Sequence, residues 1–291
     1  MAQNLIDLRR RIKSVRDTQK STKAMKTVSA AKLRRSVSDI NRNKPIVEKI
    51  ESMLYWVGQK SHQLMEDRTE ESRTLIVVIS ADKGLCGAFN SKLINRAESY
   101  LNELKEKDGE SPILVTVGNK ASKYFTKRAI PIKKNYPYMM SRLKYENAQE
   151  LSRYLQHLYL QNIEDIKKVE FIFTEFLSAS KQEVKIKQIF PLQSQWDKIN
   201  EENRHIEYIF EPSKEKIFEK LLPRYIDSMI HQLLLQSSAS EHAARMIAMD
   251  LATKNASEMI RTLTLTMNKM RQAAITKELL EILTATEALK K

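Results

Sequence analysis

The sequence predicts an α/β protein with a long antiparallel coiled coil. The N- and C-terminal helices are expected to form a rod, and the segment between them a small Rossmann-like α/β domain. Coiled-coil spacing of apolar and small residues at both ends, and strand-like runs alternating with helical segments between, indicate this arrangement. Of 291 residues, 30% are charged, 7% are aromatic and only five are Gly, which is typical of long helices rather than of a sandwich or barrel.

The last third of the chain, from Ser240 onward, contains no Gly and no Pro and is predicted to be one helix. Its apolar or small residues recur at alternating steps of three and four: Met246, Met249, Thr253, Ala256, Ile260, Leu263, Met267, Met270 and Ala274. A seam of this kind repeats every seven residues, which predicts a helix that supercoils left-handed against a partner helix.

The first segment, residues 2 to about 57, is predicted to be a second long helix. A similar spacing is kept by Leu5, Leu8, Ile12, Val15, Thr18, Thr22, Met25, Ser29, Leu33, Ser36 and Ile40. The small residues in this seam allow close approach of a second helix, and Pro45 predicts a kink. An antiparallel pair made from the two termini follows, and 50 to 70 residues at about 1.5 Å each give a rod of roughly 80 to 110 Å.

Residues 73–190 are predicted to form the α/β domain, followed by a connector at 191–212 and the C-terminal helix at 213–291. The β-branched run at 74–80 is typical of a strand buried on both faces. Further strands are predicted at 113–117, 169–176 and 183–190, the last two as a hairpin, with helices at 90–104, 121–127 and 146–162. Segment 205–210 is either an edge strand or a connector. Pro223 predicts a break or kink near Leu222.

The positive charge of the chain lies mostly at its start. Residues 1–44 hold thirteen Lys or Arg against three Asp, which gives +10 of the total net charge of +14. Such a stretch favours an acidic partner, and nucleic acid is one candidate, although a solvated helix face is the alternative. The first aromatic residue is Tyr55, so the basic stretch offers no platform for stacking bases. A basic coiled coil that binds nucleic acid, or acts as a scaffold, is therefore the secondary hypothesis.

The sequence predicts no catalytic, cofactor or metal site. The glycines of the 81–87 loop follow a strand, but neither a P-loop nor a dinucleotide-binding fingerprint is present, so they are interpreted as turn residues. Cys86 has no evident base and is expected to be a small buried side chain. The five His are scattered, and His242 is expected at the surface or in a capping role. No run approaches the ~20 apolar residues of a membrane span, and the start lacks a signal peptide.

Four stretches, in order along the chain, resemble the γ subunit family of F-type ATP synthases. ADKGLCGAFN at 81–90 is similar to the family motif S-D-R-G-L-C-G, and residues 240–282 are similar to its C-terminal helix. Residues 22–32 (TKAMKTVSAAK) and 208–212 (YIFEP) match the opening helix and the entry to the last helix. Lys83 replaces an Arg of the motif and so lacks its forked donor. A single Cys excludes the Cys-pair redox switch of photosynthetic members.

The resemblance implies a non-catalytic subunit that acts as a rotary central shaft. In this family the shaft transmits torque between the membrane c-ring and the α3β3 ring, so that proton or sodium ion flow drives ATP synthesis and hydrolysis drives ion pumping. The partners implied are the α, β and ε subunits and the c-ring, with no nucleic acid and no cofactor. The expected location is the cytoplasmic face of the bacterial inner membrane, where the chain is held peripherally through the complex.

The resemblance also implies roles for individual residues. Contacts with the β subunit, including its acidic loop, are expected for Lys23, Met25, Lys26, Lys83, Arg271 and Gln272. An apolar bearing at the top of the ring is expected to receive Leu279, Ile282 and Leu283. Bracing of the shaft is expected from Glu241 and Arg245. The alternatives are that Met25 is only a seam residue and that Arg271 is only a solvated charge.

Overall fold

Two long helices and a central five-stranded sheet make up the fold, which confirms the predicted fold class. The computed structural model describes residues 2–57, 62–68, 73–109, 111–161, 165–192 and 209–288. The chain divides into two compact units. The helical unit comprises Met1–Ser29 and Arg245–Lys291, and the central unit comprises Ala30–Ala244.

Helices and strands alternate along the chain as far as β4. In chain order they are α1 (Ala2–Val57), β1 (Arg73–Ile79), α2 (Phe89–Asp108), β2 (Ile113–Val117), α3 (Asn119–Lys127), β3 (Ile132–Tyr136), α4 (Tyr145–Leu160), β4 (Ile166–Phe176), β5 (Gln182–Phe190) and α5 (Lys214–Ala288). A 3-10 turn at Met140–Arg142 lies between β3 and α4. Residues 193–208, which include most of the predicted connector and residues 205–208 of the segment predicted as strand or connector, lie outside the described residues, and residues 209–210 are not in a strand.

The sheet has the order β3-β2-β1-β4-β5. Strands β1 to β4 are parallel where they pair, and β5 pairs antiparallel with β4, which confirms the predicted hairpin. Strand β3 was not predicted, because its sequence, Ile-Lys-Lys-Asn-Tyr, lacks the apolar signal of a buried strand. Its edge position explains this composition, since an edge strand keeps part of its surface in water.

Strand β1 is the centre of the core, because its side chains alternate between two buried faces. Leu75 and Val77 pack in the cluster shared with α4 and the first turns of α5, whereas Ile76 and Val78 pack with α2 and α3. Helices on both faces leave no solvated side for this strand, which accounts for its unbroken apolar run.

Helix α5 continues through Pro223, so of the break or kink predicted near Leu222 the break is wrong. The proline lacks the N–H that would bond to the preceding turn, which normally interrupts a helix. Here Phe218, Leu222 and Ile226 on the same segment are fully buried in the core. Packing of this apolar face outweighs the loss of one main-chain hydrogen bond. Ser213 also fixes the start of α5, because its hydroxyl accepts a hydrogen bond from the N–H of Lys216 at 3.3 Å.

Two histidines of the central unit titrate below their ordinary range. Burial lowers the pKa of His62, and the nearby carboxylates Glu66 and Glu219 raise it by less. The Nδ1 atom of His62 accepts a hydrogen bond from the main-chain N–H of Leu64 at 3.1 Å, a role that a proton on this atom would remove. Burial likewise lowers the pKa of His231.

We expect the free energy of unfolding of the full chain to fall as the pH falls through 6.5, the ordinary pKa of histidine. The sign follows because the unfolded state binds protons at these two sites at a higher pH than the folded state does. Urea unfolding at a series of pH values would measure this slope. Replacing both His62 and His231 with Gln should flatten it, and an unchanged slope in that variant would contradict the assignment.

Candidate partner-contact surfaces

In the helical unit, α1 and α5 run antiparallel and are joined by side-chain hydrogen bonds. Gln19 Nε2 donates to Ser257 Oγ at 2.7 Å, and Thr253 Oγ1 donates to Thr22 Oγ1 at 2.8 Å. Lys26 Nζ forms an ion pair with Asp250 Oδ1 at 2.6 Å. As the residue number rises along α1, the number of its partner on α5 therefore falls. The antiparallel pairing that the two seams predict is confirmed in this unit.

The seam of α1 differs from its prediction at two positions. Thr18 and Met25 are exposed, and the inward positions beside them are Gln19 and Lys26. Both residues carry long side chains whose polar ends reach partners on α5, so they occupy inward positions without burying an unpaired polar group. The interpretation of Met25 as only a seam residue is therefore wrong. A search for apolar residues misses polar seam residues of this kind.

Met25 lies in an exposed, mostly polar stretch of α1. Its side chain is 43% exposed, and the neighbouring Lys23 is exposed as well. Lys26 is engaged within the pair of helices, and its hydrogen bond holds the pKa of Asp250 below the usual range, with a second contribution from Lys254. Of the three residues predicted for this contact, Lys23 and Met25 present their side chains outward, while Lys26 is shared with the seam.

The last turns of α5 have no antiparallel partner in the described part of the chain. Extending the observed register residue by residue places Ala274 opposite Ala2, where α1 begins. Beyond it every described side chain up to residue 286 is exposed. The large apolar ones are Ile275, Leu279, Leu280, Ile282 and Leu283, of which the last four are 56 to 62% exposed. We call residues 275–286 the apolar tip. Arg271 and Gln272, also exposed, immediately precede it.

The loop after β1 is organised by the carboxylate of Asp82. It accepts three main-chain hydrogen bonds, from the N–H groups of Asn119 (3.2 Å), Tyr138 (2.9 Å) and Ser141 (2.7 Å). One side chain thus ties the loop after β1 to the two segments that follow β2 and β3 at the carboxyl edge of the parallel strands. Lys83, next in the chain, is exposed at this edge.

Cys86 is 2% exposed, and its Sγ accepts a hydrogen bond from Asn90 Nδ2 at 3.0 Å. The expectation of a small buried side chain is confirmed. The preceding Leu85 adopts a left-handed backbone with φ of 62° while its side chain is exposed. The glycine-rich loop therefore serves to turn the chain and to place Asp82, Lys83 and Leu85 at one edge of the sheet.

The remaining candidates lie near the point where α5 leaves the central unit. Glu241, predicted to brace the shaft, is 5% exposed, and Arg245 is half-buried. His242 is also buried, at 8% exposed, so its predicted surface position is wrong. The helix places its side chain on the same face as Ser238, one turn earlier, and both residues line a cavity beside α1, so apolar periodicity does not reveal this face.

The charged side chains that line a cavity of about 320 Å³ in the central unit are mostly basic. Lys32 and Arg35 of α1, with Arg142 and Lys144 after β3, line it, and Asp39 is the one carboxylate among the lining residues. Within the described ranges, no group of three or more His, Cys, Asp or Glu side chains is arranged to hold a metal ion. None of the helices described here combines the length and apolar character required to cross a bilayer.

Comparison with known proteins identifies the family of this chain. The family model described as ATP synthase matches residues 4–289. The ATP synthase gamma chain of Desulforamulus reducens is 41% identical over 288 residues, covering 97% of this chain and 98% of that one. The chain belongs to the ATP synthase gamma chain family. The gamma chain of Pelotomaculum thermopropionicum is also 41% identical, over 98% of this chain and 99% of its own length.

Solved structures share the fold of this gamma-chain family member. A chain of the Euglena gracilis mitochondrial ATP synthase, from a structure of OSCP, F1 and c-ring, has a TM-score of 0.69 at 19% identity, covering 99% of this chain and 95% of that one. A chain of the Tetrahymena thermophila mitochondrial ATP synthase central stalk and c-ring has a TM-score of 0.58 at 26% identity, covering 79% of this chain and 98% of that one.

Proposed function

We propose that this chain is the rotary central shaft of an F-type ATP synthase. It transmits torque between a membrane c-ring and a catalytic α3β3 ring, so that ion flow drives ATP synthesis and hydrolysis drives ion pumping. The chain itself carries no catalytic site, and the chemistry of ATP takes place on the ring. The observation that carries this proposal is the apolar tip of α5, in a chain that matches the gamma chains along nearly its whole length.

The apolar tip is the part that enters the ring. Leu279, Ile282 and Leu283 expose apolar surface that no described part of the chain covers, and such surface favours an apolar sleeve supplied by a partner. Arg271 and Gln272, about one turn before the tip, contact β where the sleeve ends. An exposed guanidinium with an amide beside it suits hydrogen bonds to carboxylate and main-chain oxygens.

A second contact lies along the outer surface of α1 and at the carboxyl edge of the sheet. Lys23, Met25 and Lys26 face an acidic loop of β during part of each rotation, and Lys83 faces the same partner. The net charge of +10 in residues 1–44 supports an acidic partner for this surface. Glu241 and Arg245 brace the shaft along α5.

The proposed function also implies where the chain lies in the complex and in the cell. The α and β subunits surround the helical unit, and ε and the c-ring contact the central unit, so the chain is held peripherally at the cytoplasmic face of a bacterial inner membrane. The bacterial origin of the relatives that are 41% identical supports this location. The similar Tetrahymena chain belongs to a structure of a central stalk and c-ring, which supports the c-ring as a partner.

Reconstitution with matching α and β subunits tests the proposal. We expect one copy of this chain per α3β3 ring by native mass spectrometry, together with ATPase activity above that of α and β alone. The same α and β subunits assembled with a gamma chain of known activity serve as the positive control. Absence of a stoichiometric complex, when that control assembles, would refute the shaft function.

Replacing Met25 with Lys is expected to weaken the coupling of ATP hydrolysis to ion pumping while hydrolysis itself persists. The added cation strengthens the attraction to the acidic loop, a contact that must break at every step of rotation. We expect pumping per ATP hydrolysed to fall by about half or more, since ~1 kcal/mol is a typical coupling for such a pair. ATP-driven acidification of inverted vesicles, with phosphate release measured in parallel, gives this ratio.

Ala24→Lys is the matched control, because it adds the same charge one residue away on the outer face of α1. Ala24 is exposed and lies about 100° around the helix from Met25. We expect a smaller loss of coupling in this variant. Equal losses in the two variants would show that net charge, and not the position of Met25, determines the effect.

A further inference from the structure

Strand β4 is longer than the neighbour that pairs with it on one side. Its parallel pairing with β1 ends at Ile172, opposite Val78, whereas β4 continues to Phe176. Successive residues of a strand direct their main-chain groups to alternate sides. Thr174 and Phe176 therefore direct their N–H groups to the side where β1 no longer provides acceptors.

Side chains of α5 replace the missing strand. The N–H of Thr174 donates to Ser237 Oγ at 3.2 Å, and the N–H of Phe176 donates to Gln236 Oε1 at 2.9 Å. Ser240 Oγ donates to the carbonyl oxygen of Thr174 at 3.0 Å. Thr174 thus has both of its main-chain groups on this side bonded to α5, as a ladder residue would have them bonded to a strand.

These bonds fix one particular face of α5 against the sheet. The intervening Ser238 is directed elsewhere, and its hydroxyl lies 3.2 Å from that of Ser36 on α1. Ala239 and Ala243 are fully buried, and such small side chains allow the helix backbone to approach its neighbours closely. The polar stretch 236–240 is therefore divided between two partners by helical geometry, with Gln236, Ser237 and Ser240 directed to β4.

We propose that Gln236, Ser237 and Ser240, here called the β4 clamp, are positioning residues for torque transfer. The inference rests on the proposed shaft function. Torque delivered to the α/β domain must turn α5 about its axis without slippage between helix and sheet. Hydrogen bonds to a strand are directional, so they hold one rotational setting of the helix in addition to the packing of its side chains. From the clamp onward α5 is a continuous helix into the helical unit.

The test compares Ser237→Ala/Ser240→Ala with wild type in a complete ATP synthase reconstituted into vesicles. We expect ions pumped per ATP hydrolysed to fall at least about twofold, while the hydrolysis rate changes by less than about twofold, because each lost bond is modest for folding. Ser238→Ala, which loses only the contact with α1, should keep the wild-type ratio. Thr174→Val should keep it as well, because it retains the main-chain groups that the clamp binds.

An unchanged ratio in the double variant, or an equal loss in Ser238→Ala, would overturn the proposal. Hydrogen exchange on the isolated full chain gives a second readout that does not depend on assembly. The Thr174 and Phe176 amides should be protected in wild type, and Ser237→Ala should speed exchange at Thr174 about tenfold. Absence of protection in wild type refutes the clamp itself. Failure of the wild-type complex to pump ions instead refutes the shaft function.

Discussion

Replacing Gly118 with alanine is expected to lower the free energy of unfolding of the central unit by about 4 kcal/mol. Gly118 follows β2 and has a φ of 88°, which side chains rarely tolerate. A Cβ atom there would lie 2.1 Å from the carbonyl oxygen of Ser80 and 2.8 Å from its carbon. Both are main-chain atoms at the end of β1, so relief requires the central strand or the start of α3 to move.

Urea unfolding followed by circular dichroism would measure this loss, and two other glycines provide matched controls. Gly109 has a φ of 62° and open space around it, so Gly109→Ala tests the backbone conformation alone and should cost about 1 kcal/mol. Gly84→Ala meets only the end of the Lys120 side chain, at 3.5 Å, and should be nearly neutral. If Gly118→Ala were no worse than Gly109→Ala, the steric explanation would fail.

Replacing Leu279 and Leu283 with aspartate is expected to reduce ion-driven ATP synthesis by at least about tenfold, because moving a charge out of water costs several kcal/mol per ion. The two side chains lie one turn apart on the apolar tip and are exposed in the chain itself. The isolated chain should therefore keep its helix content and its unfolding midpoint. The loss should appear only when the tip has to enter an apolar sleeve in the assembled complex.

A control variant carries the same added charge on a neighbouring face of this helix. Ala273→Asp with Thr284→Asp places two aspartates at exposed positions that lie away from Leu279 and Leu283 around the helix. We expect ATP synthesis close to wild type in this variant. Equal losses in both variants would mean that charge near the end of α5, and not apolar contact, is what the complex rejects. Wild-type ATP synthesis in the Leu279→Asp/Leu283→Asp variant would refute the role of the apolar tip in an apolar bearing.

The parts of the fold that could be predicted are those with a periodic apolar signal. The seam of α5 consists of apolar and small residues, and with the exception of Met270 its predicted members are buried or half-buried. In α1 the same rule placed Thr18 and Met25 inward, because they are less polar than the Gln19 and Lys26 that occupy the seam. The ion pair of Lys26 with Asp250 accounts for the inward position of Lys26, and a contact between residues far apart in sequence leaves no periodic signal.

Some residues of the candidate surfaces could be predicted from the sequence, and others are revealed only by the folded structure. Resemblance to a family could point to Met25, Lys83 and the tip leucines, and the structure adds which of their side chains are exposed. It could not point to the β4 clamp, since serine and glutamine in a helix are usually solvated. The clamp depends on β4 continuing past β1, which only the register of the two strands reveals. Similarly, the role of Asp82 depends on three loops that meet only in the folded chain.

The polar pairs in the seam between α1 and α5 affect the heat capacity of unfolding. Unfolding raises the heat capacity through exposed apolar surface and lowers it through exposed polar surface. The pairs Thr22–Thr253 and Lys26–Asp250 make the helical unit rich in the second kind of surface, whereas the sheet core of the central unit is rich in the first. We therefore expect the stability of the helical unit to vary less with temperature than that of the central unit.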